Sequence, residues 1–219
     1  MRYYPYRSIA EFLSLADVGI INATRAGEVA DILTAHGFGA AKLDEGAAML
    51  ATARDLDAVK NREYGGQMGA TQEMQTAWRT ADKAYAVHRQ LARLALRDDE
   101  QAQVALLLNE RKSPLLRNWL VQAEIFYANA LDNAEILAAM GQYNVTAGVL
   151  VEGKTAVSQV AHLRAVQQQR KAIARQTTKR RDDALDALYA WHRVFRTIAK
   201  IALDGDQRLE SLGLKIVVK

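Results

Sequence analysis

Apolar residues recur along the chain every three or four positions, with polar residues between them. From Ala184 to Ala202 the apolar positions advance in alternating steps of four and three, and a second series from Trp78 to Ala95 does the same. This spacing places apolar side chains on one face of an α-helix, and its regular alternation is typical of a coiled-coil seam. The sequence has no long alternation of apolar and polar residues with a period of two, which would be typical of a β-strand. The pattern therefore predicts an all-α protein with long amphipathic helices.

Glycines mark one predicted break between helices. The run Gly65-Gly66-Gln67-Met68-Gly69 predicts a turn or kink in the first half of the chain. The corresponding part of the second half has neither glycine nor proline, so the sequence leaves open whether 149–204 is one helix or two. Near the start of the chain, Ser8 followed by Glu11 three residues later is typical of a helix N-terminus, because the two side chains cap free main-chain N–H groups.

The two halves of the chain resemble each other. With a constant offset of 107 positions, residues 46–101 align without a gap to 153–208, and 12 of the 56 pairs are identical. Both segments begin at a glycine and pass through a similar six-residue block before they end. We therefore expect a tandem duplication, with a first helical repeat at 1–112 and a second at 113–219. Each repeat has one apolar stripe, so the two are expected to pack together as an antiparallel helical bundle.

The second of these six-residue blocks belongs to a longer C-terminal pattern. The pattern consists of Trp191, Phe195, the block from Ile198 to Leu203, and then Gln207, Leu209, Glu210, Leu212 and Gly213. This run resembles the ends of uncharacterised bacterial all-α helical proteins. The resemblance implies a helical fold and no activity, so no functional residue is taken from it.

Composition narrows the classes of function. The 219 residues have a formal net charge of +4, half of them are hydrophobic and a quarter are charged, as in a soluble globular protein. The absence of cysteine excludes disulfides, thiolate zinc sites and cysteine nucleophiles. No apolar run reaches the roughly 18–20 residues of a membrane span. The first residues lack the apolar segment of a secretory signal, so we expect a cytoplasmic protein.

One motif matches a nucleotide-binding pattern. The segment 148–155 fits G-x-x-x-x-G-K-[ST] through Gly148, Gly153, Lys154 and Thr155. In a P-loop the main-chain N–H groups surround the phosphates, the lysine neutralises them and the hydroxyl binds magnesium. That motif follows a β-strand, however, and a helix is predicted here. Gly153 also aligns with Gly46 of the first repeat, which favours a helix start or a close-packed glycine.

A second feature is a basic run. Between residues 153 and 181 there are eight basic residues and no acidic one. A solvated basic helix is suited to nucleic acid or another polyanion, because binding releases counterions from the phosphates. The same charge also suits an acidic protein surface or anionic lipid, or is simply a solvated helix face. The candidate polyanion-binding residues are Arg164, Arg170, Lys171, Arg175, Lys179, Arg180 and Arg181.

No catalytic or metal site is predicted. Di-iron helical bundles use Glu-x-x-His pairs, and none of the four histidines has an acidic residue three positions before it. His88 lies on the apolar seam and is predicted to be a hydrogen-bonded core histidine, and the aromatic residues at helical spacing are predicted to be core. We expect a non-enzymatic, cofactor-free helical protein for protein–protein interaction or assembly, either with a partner or as an oligomer. Polyanion binding through 164–181 is the first alternative, and nucleotide binding through 148–155 is the second.

Overall fold

The computed structural model describes residues 8–25 and 27–214, and residues 1–7, 26 and 215–219 lie outside this description. Within the described ranges every regular element is a helix, which confirms the predicted all-α fold class. The helices are α1 (Ile9–Thr24), α2 (Glu28–Ala35), α3 (Ala40–Ala95), α4 (Glu100–Ala105), α5 (Leu116–Asp132), α6 (Ala134–Gly141), α7 (Ala147–Ala202) and α8 (Arg208–Ser211).

Helices α3 and α7 are each 56 residues long. Helix α3 continues through Gly65, Gly66 and Gly69, so of the turn or kink predicted there, the turn is wrong. A glycine weakens a helix by about 1 kcal/mol but removes no hydrogen bond, and the packed segments on both sides outweigh that cost. Helix α7 has no break either, which answers the question that the sequence left open. The bounds of the two helices differ by the same 107 positions as the sequence alignment.

Polar side chains determine where several shorter helices begin. The Ser8 hydroxyl accepts a hydrogen bond from the Glu11 main-chain N–H at 3.1 Å, as predicted for the start of α1. The Asn133 side chain accepts hydrogen bonds from the N–H groups of Glu135 and Ile136. This second cap begins α6 and separates it from α5 without any glycine or proline.

The chain forms two compact units. The first contains the residues up to Tyr64 together with those from Ile173 onward, and the second is Gly65–Ala172. Because the divisions fall inside α3 and α7, each long helix contributes one segment to each unit. The compact units are therefore not the sequence halves 1–112 and 113–219. Each unit combines the early segments of one half with the late segments of the other.

Aromatic side chains from α7 occupy the core of the first unit. Trp191 and Phe195 stack with ring centroids 5.4 Å apart and planes inclined by 8°, and Phe38 contacts both rings. Phe12 of α1 is also buried and packs edge-on against His192. Aromatic packing of this kind adds about 0.5–1.5 kcal/mol per pair beyond the burial of area.

The core of the second unit is a separate aromatic cluster. Tyr85 of α3 and Trp119, Phe126 and Tyr127 of α5 are fully buried. The Tyr85 ring meets Trp119 at 5.9 Å and Phe126 at 5.4 Å, in both cases edge to face. These contacts confirm the prediction that the aromatic residues at helical spacing form the core.

Buried positions in the two units correspond by the offset of 107. The correspondence covers residues of α1 with α5, of α3 with α7, and of the turns that directly follow the two long helices, and it holds even where the residue type changes. The matched buried pairs include Phe12 and Trp119, Leu43 and Leu150, Gly46 and Gly153, Ala81 and Leu188, Tyr85 and His192, and Leu96 and Leu203.

Candidate interaction surface

The segment that matches the P-loop pattern lies inside α7. The helix begins at Ala147, so residues from 151 onward donate their N–H groups within the helix. The Thr155 hydroxyl donates to the Val151 carbonyl at 2.9 Å, as in a helix interior. A Cβ added to Gly153 would overlap the Tyr127 ring, so this glycine permits close packing. Gly148 and Lys154 are exposed in the first two turns. The helical segment forms no loop that could surround a phosphate, so its geometry does not support nucleotide binding.

The candidate polyanion-binding residues all lie on α7 but differ in exposure. Arg164, Arg170 and Lys171 belong to the second unit, and the remaining four belong to the first. Arg181 is mostly buried, with 13% of its side chain exposed, and it forms ion pairs with Asp57 at 3.6 Å and Asp182 at 2.6 Å. Arg164 is half-buried. The exposed members of the set are Arg170, Lys171, Arg175, Lys179 and Arg180.

Sequence reasoning missed two arginines that bind main-chain carbonyls in the second unit. Arg89 is buried and donates to the carbonyl oxygens of Leu107 at 2.7 Å and Glu110 at 2.8 Å. Arg93 donates from Nε to the Leu108 carbonyl at 3.1 Å. These bonds satisfy carbonyls that follow the end of α4, so the two guanidinium groups hold the segment 107–110. The sequence feature that could have indicated this role is a pair of arginines one turn apart beside the apolar seam.

Burial lowers the pKa values of two histidines. Burial lowers the pKa of His88, whose Nδ1 lies 2.9 Å from the Tyr127 hydroxyl oxygen. His88 is half-buried and hydrogen-bonded, close to what the sequence predicts. Burial and the nearby Arg196 lower the pKa of His192 to about 4. Burial also raises the pKa of Tyr127. Over the described ranges, no group of three or more histidine and acidic residues is placed to hold a metal ion.

Each unit exposes a row of apolar side chains on the last part of a long helix. On α3, Val87 and Leu94 are 49% and 48% exposed, two turns apart, with half-buried Leu91 between them. On α7, Val194 and Ile201 are 50% and 63% exposed in the same arrangement. We call the set Val87, Leu91 and Leu94 the second-unit row, and the set Val194, Ile198 and Ile201 the first-unit row.

The two rows occupy matched positions. Each residue of the first-unit row lies 107 positions after its counterpart in the second-unit row. The same helical segments bury a different face, formed by Ala92 and Leu96 in one case and by Ala199 and Leu203 in the other. Scattered exposed apolar residues are common, whereas these form an aligned row that recurs at equivalent positions of the two long helices.

Two open clefts lie on the units. One, of about 570 Å³, lies in the second unit and is lined by Gly69, Gln72, Glu73, Thr76, Ala77, Gln159 and Leu163. The other, of about 200 Å³, lies in the first unit beside the first-unit row and is lined by Arg193, Arg196, Thr197 and Lys200. The smaller cleft is lined by three basic side chains and a threonine.

Of the helices that the structure describes, none combines the length and the apolar character needed to cross a membrane. Searches against protein-family models, curated proteins and solved structures find no match for the chain. The fold and its surfaces together define an all-α protein with two matched apolar rows.

Proposed function

We propose that this chain is a non-enzymatic helical protein that binds protein through the first-unit and second-unit rows. The observation that carries the proposal is the recurrence of an exposed apolar row at matched positions of the two long helices. Burying such a row against another protein removes aliphatic surface from water, at roughly 25 cal/mol per Å². A chain with two equivalent rows binds two partner segments, which strengthens binding to a partner that has both.

A tandem duplication explains why the rows recur. It is supported by the equal lengths of α3 and α7, by their offset of 107 and by the matched buried positions. An antiparallel pairing of the long helices within the first unit is supported by two contacts. The Trp191 indole N–H donates to the Lys42 carbonyl, and Arg181 forms an ion pair with Asp57. Later positions on α3 therefore contact earlier positions on α7, as in an antiparallel pair.

The test introduces charge into each row. We expect Val87→Glu with Leu94→Glu, and Val194→Glu with Ile201→Glu, to weaken association at least about tenfold, because a carboxylate resists burial against apolar surface. Light scattering measures self-association, and quantitative affinity capture measures partners. Substitutions at exposed sites change stability by only about 0.5 kcal/mol, so the melting temperature should stay close to that of the wild type.

The control for this test is Val121→Glu with Val151→Glu. These residues are 54% and 52% exposed, as apolar as the row residues, and lie outside both rows. The control should retain the associations of the wild type. If the row variants retain them as fully as the control does, the rows are not the binding surface and the proposal fails.

Polyanion binding is the second candidate function. Arg175 and Lys179 are exposed one turn apart on α7 in the first unit, and the described residues provide neither with an acidic partner. If the basic segment binds nucleic acid, affinity for DNA or RNA falls steeply with salt. The variant Arg170→Glu/Lys171→Glu/Arg175→Glu then binds more weakly than the wild type. Equal weak binding by both proteins would eliminate this candidate.

A further inference from the structure

Basic side chains accompany the first-unit row along one edge. Arg193 precedes Val194 and Lys200 precedes Ile201, so each cation lies about 100° around the helix from an exposed apolar residue of the row. Residues seven positions apart share a helix face, and the two cations therefore form an edge parallel to the apolar pair. Both side chains are exposed, and within the described part of the chain neither forms an ion pair.

The cleft between these cations has room for an acidic side chain. Arg193, Arg196, Thr197 and Lys200 line about 200 Å³ of space that opens beside the row. The Thr197 hydroxyl donates to the Arg193 carbonyl at 3.0 Å, which leaves the cationic groups as the main polar feature of the cleft. A carboxylate placed here would meet positive charge from consecutive turns of α7.

The second-unit row lacks such an edge, although its apolar residues match. The position equivalent to Arg193 is Ala86, and the positions equivalent to Arg196 and Lys200 are Arg89 and Arg93. Those two arginines bind the carbonyl oxygens of the segment 107–110. This pair of exposed cations at positions 193 and 200 is therefore specific to the first-unit row.

We infer that the first-unit row binds an acidic amphipathic helix of a partner protein. This inference rests on the proposed function, because it names the partner of one of its two rows. The apolar face of the partner helix covers Val194 and Ile201, and carboxylates along its edge meet Arg193 and Lys200. Nucleic acid would satisfy the cations but would leave the aliphatic side chains in water. An uncharged apolar helix would leave the cations at the rim without partners.

The test uses two synthetic helical peptides that share the same leucine positions. One has glutamate and the other lysine at the positions that flank the leucine face. Binding to the full chain is measured by fluorescence anisotropy. We expect the glutamate peptide to bind at least about tenfold more tightly than the lysine peptide, and its affinity to fall as salt rises from about 50 to about 300 mM.

Charge reversal in the protein provides the decisive variant. Arg193→Glu/Lys200→Glu should invert the preference, so that the lysine peptide binds more tightly. Val194→Ser/Ile201→Ser should weaken binding of the glutamate peptide. The matched control Arg117→Glu/Lys154→Glu makes the same change in net charge at exposed sites of the second unit. It should preserve the wild-type preference.

Several outcomes would overturn the inference. Equal affinity of the wild type for both peptides would do so, as would an unchanged preference in Arg193→Glu/Lys200→Glu. If this variant instead dissociates a homodimer seen by light scattering, the occupant is a second copy of the chain and not an acidic partner helix. If the peptides fail to bind while the row variants still lose captured protein, this inference fails and the proposed function stands. If the peptides bind as expected but the row variants capture the same proteins as the wild type, the proposed function fails instead.

Discussion

The indole ring of Trp191 packs directly against the main chain of α3 at Gly46. Its Nε1 donates to the Lys42 carbonyl at 3.0 Å, one turn earlier on the same helix. A Cβ added to Gly46 would overlap the ring. Gly153, at the matched position of α7, receives the Tyr127 ring in the same way. The two glycines thus serve one purpose in both units, since each lets a large aromatic ring approach a helix backbone.

Gly46→Ala is expected to destabilise the protein. The new methyl group would displace the Trp191 ring and strain its hydrogen bond, and overpacking of this kind costs about 1–3 kcal/mol. Urea denaturation followed by circular dichroism measures the change in the free energy of unfolding. Gly153→Ala should lose a similar amount in the second unit. A Gly46→Ala protein as stable as the wild type would show that the ring does not press on the backbone.

Alanine at the central glycines of α3 is expected to have the opposite effect. At Gly65, Gly66 and Gly69 an added Cβ would meet no atom within 4 Å. Each Gly→Ala change should raise the free energy of unfolding by about 0.5–1 kcal/mol, because alanine loses less backbone entropy in a helix. The same urea titration tests this prediction, with Gly46→Ala as the contrasting variant. Destabilisation would mean that these glycines have a conformational role.

Arg89→Met is expected to loosen the segment after α4. The change keeps an apolar stem but removes the donors to the Leu107 and Glu110 carbonyls, and a hydrogen bond from a charged group contributes about 1.5–3 kcal/mol. Hydrogen exchange at residues 106–111 should accelerate relative to the wild type. The exposed Arg79→Met serves as the control and should leave this exchange unchanged. Unchanged exchange in Arg89→Met would contradict the assigned role.

Acidification is expected to destabilise the first unit through His192. Its pKa is lowered from 6.5 to about 4, so between these values the unfolded chain binds a proton that the folded chain does not. Stability is therefore fully retained above pH 6.5 and is lost as the pH falls towards 4, by at most about 1.4 kcal/mol per pH unit. The lowered pKa of His88 acts in the same direction.

His192→Phe removes this titration and should flatten the pH dependence of the free energy of unfolding between pH 6.5 and 4. Urea titrations at several pH values measure the slope, and the comparison uses slopes, so a constant change in stability does not affect it. A variant with the same slope as the wild type would show that His192 is not responsible.

Separating the sequence halves is expected to produce two chains that need each other. Each compact unit draws segments from both 1–112 and 113–219, so neither half completes a core by itself. The co-expressed halves should purify together in equal amounts with the helical signal of the intact chain. Either half expressed alone should form a complex with itself or aggregate, as judged by chromatography with light scattering. A cooperatively folding monomer of 1–112 would contradict this prediction.

The spacing of apolar residues by itself determined the helical class and the aromatic cores. These features depend on periodicity and residue type, which are local properties of a sequence. The alignment of Gly46 with Gly153 left a helix start and a close-packed glycine open, and both glycines are close-packed against an aromatic ring. The turn that the glycine run at 65–69 suggested does not form, because glycine lowers helix propensity locally while packing far from those residues decides whether the helix continues.

Only the tertiary structure decided which polar and apolar side chains are left for binding. Arg181 and Arg175 look alike in the basic run, yet Arg181 is mostly buried beside Asp57, and Arg175 is exposed. Val194 and Phe195 are neighbours in the sequence, but Phe195 is buried in the core and Val194 faces solvent. Burial depends on which distant segments cover a helix face, and helical periodicity alone does not specify those segments.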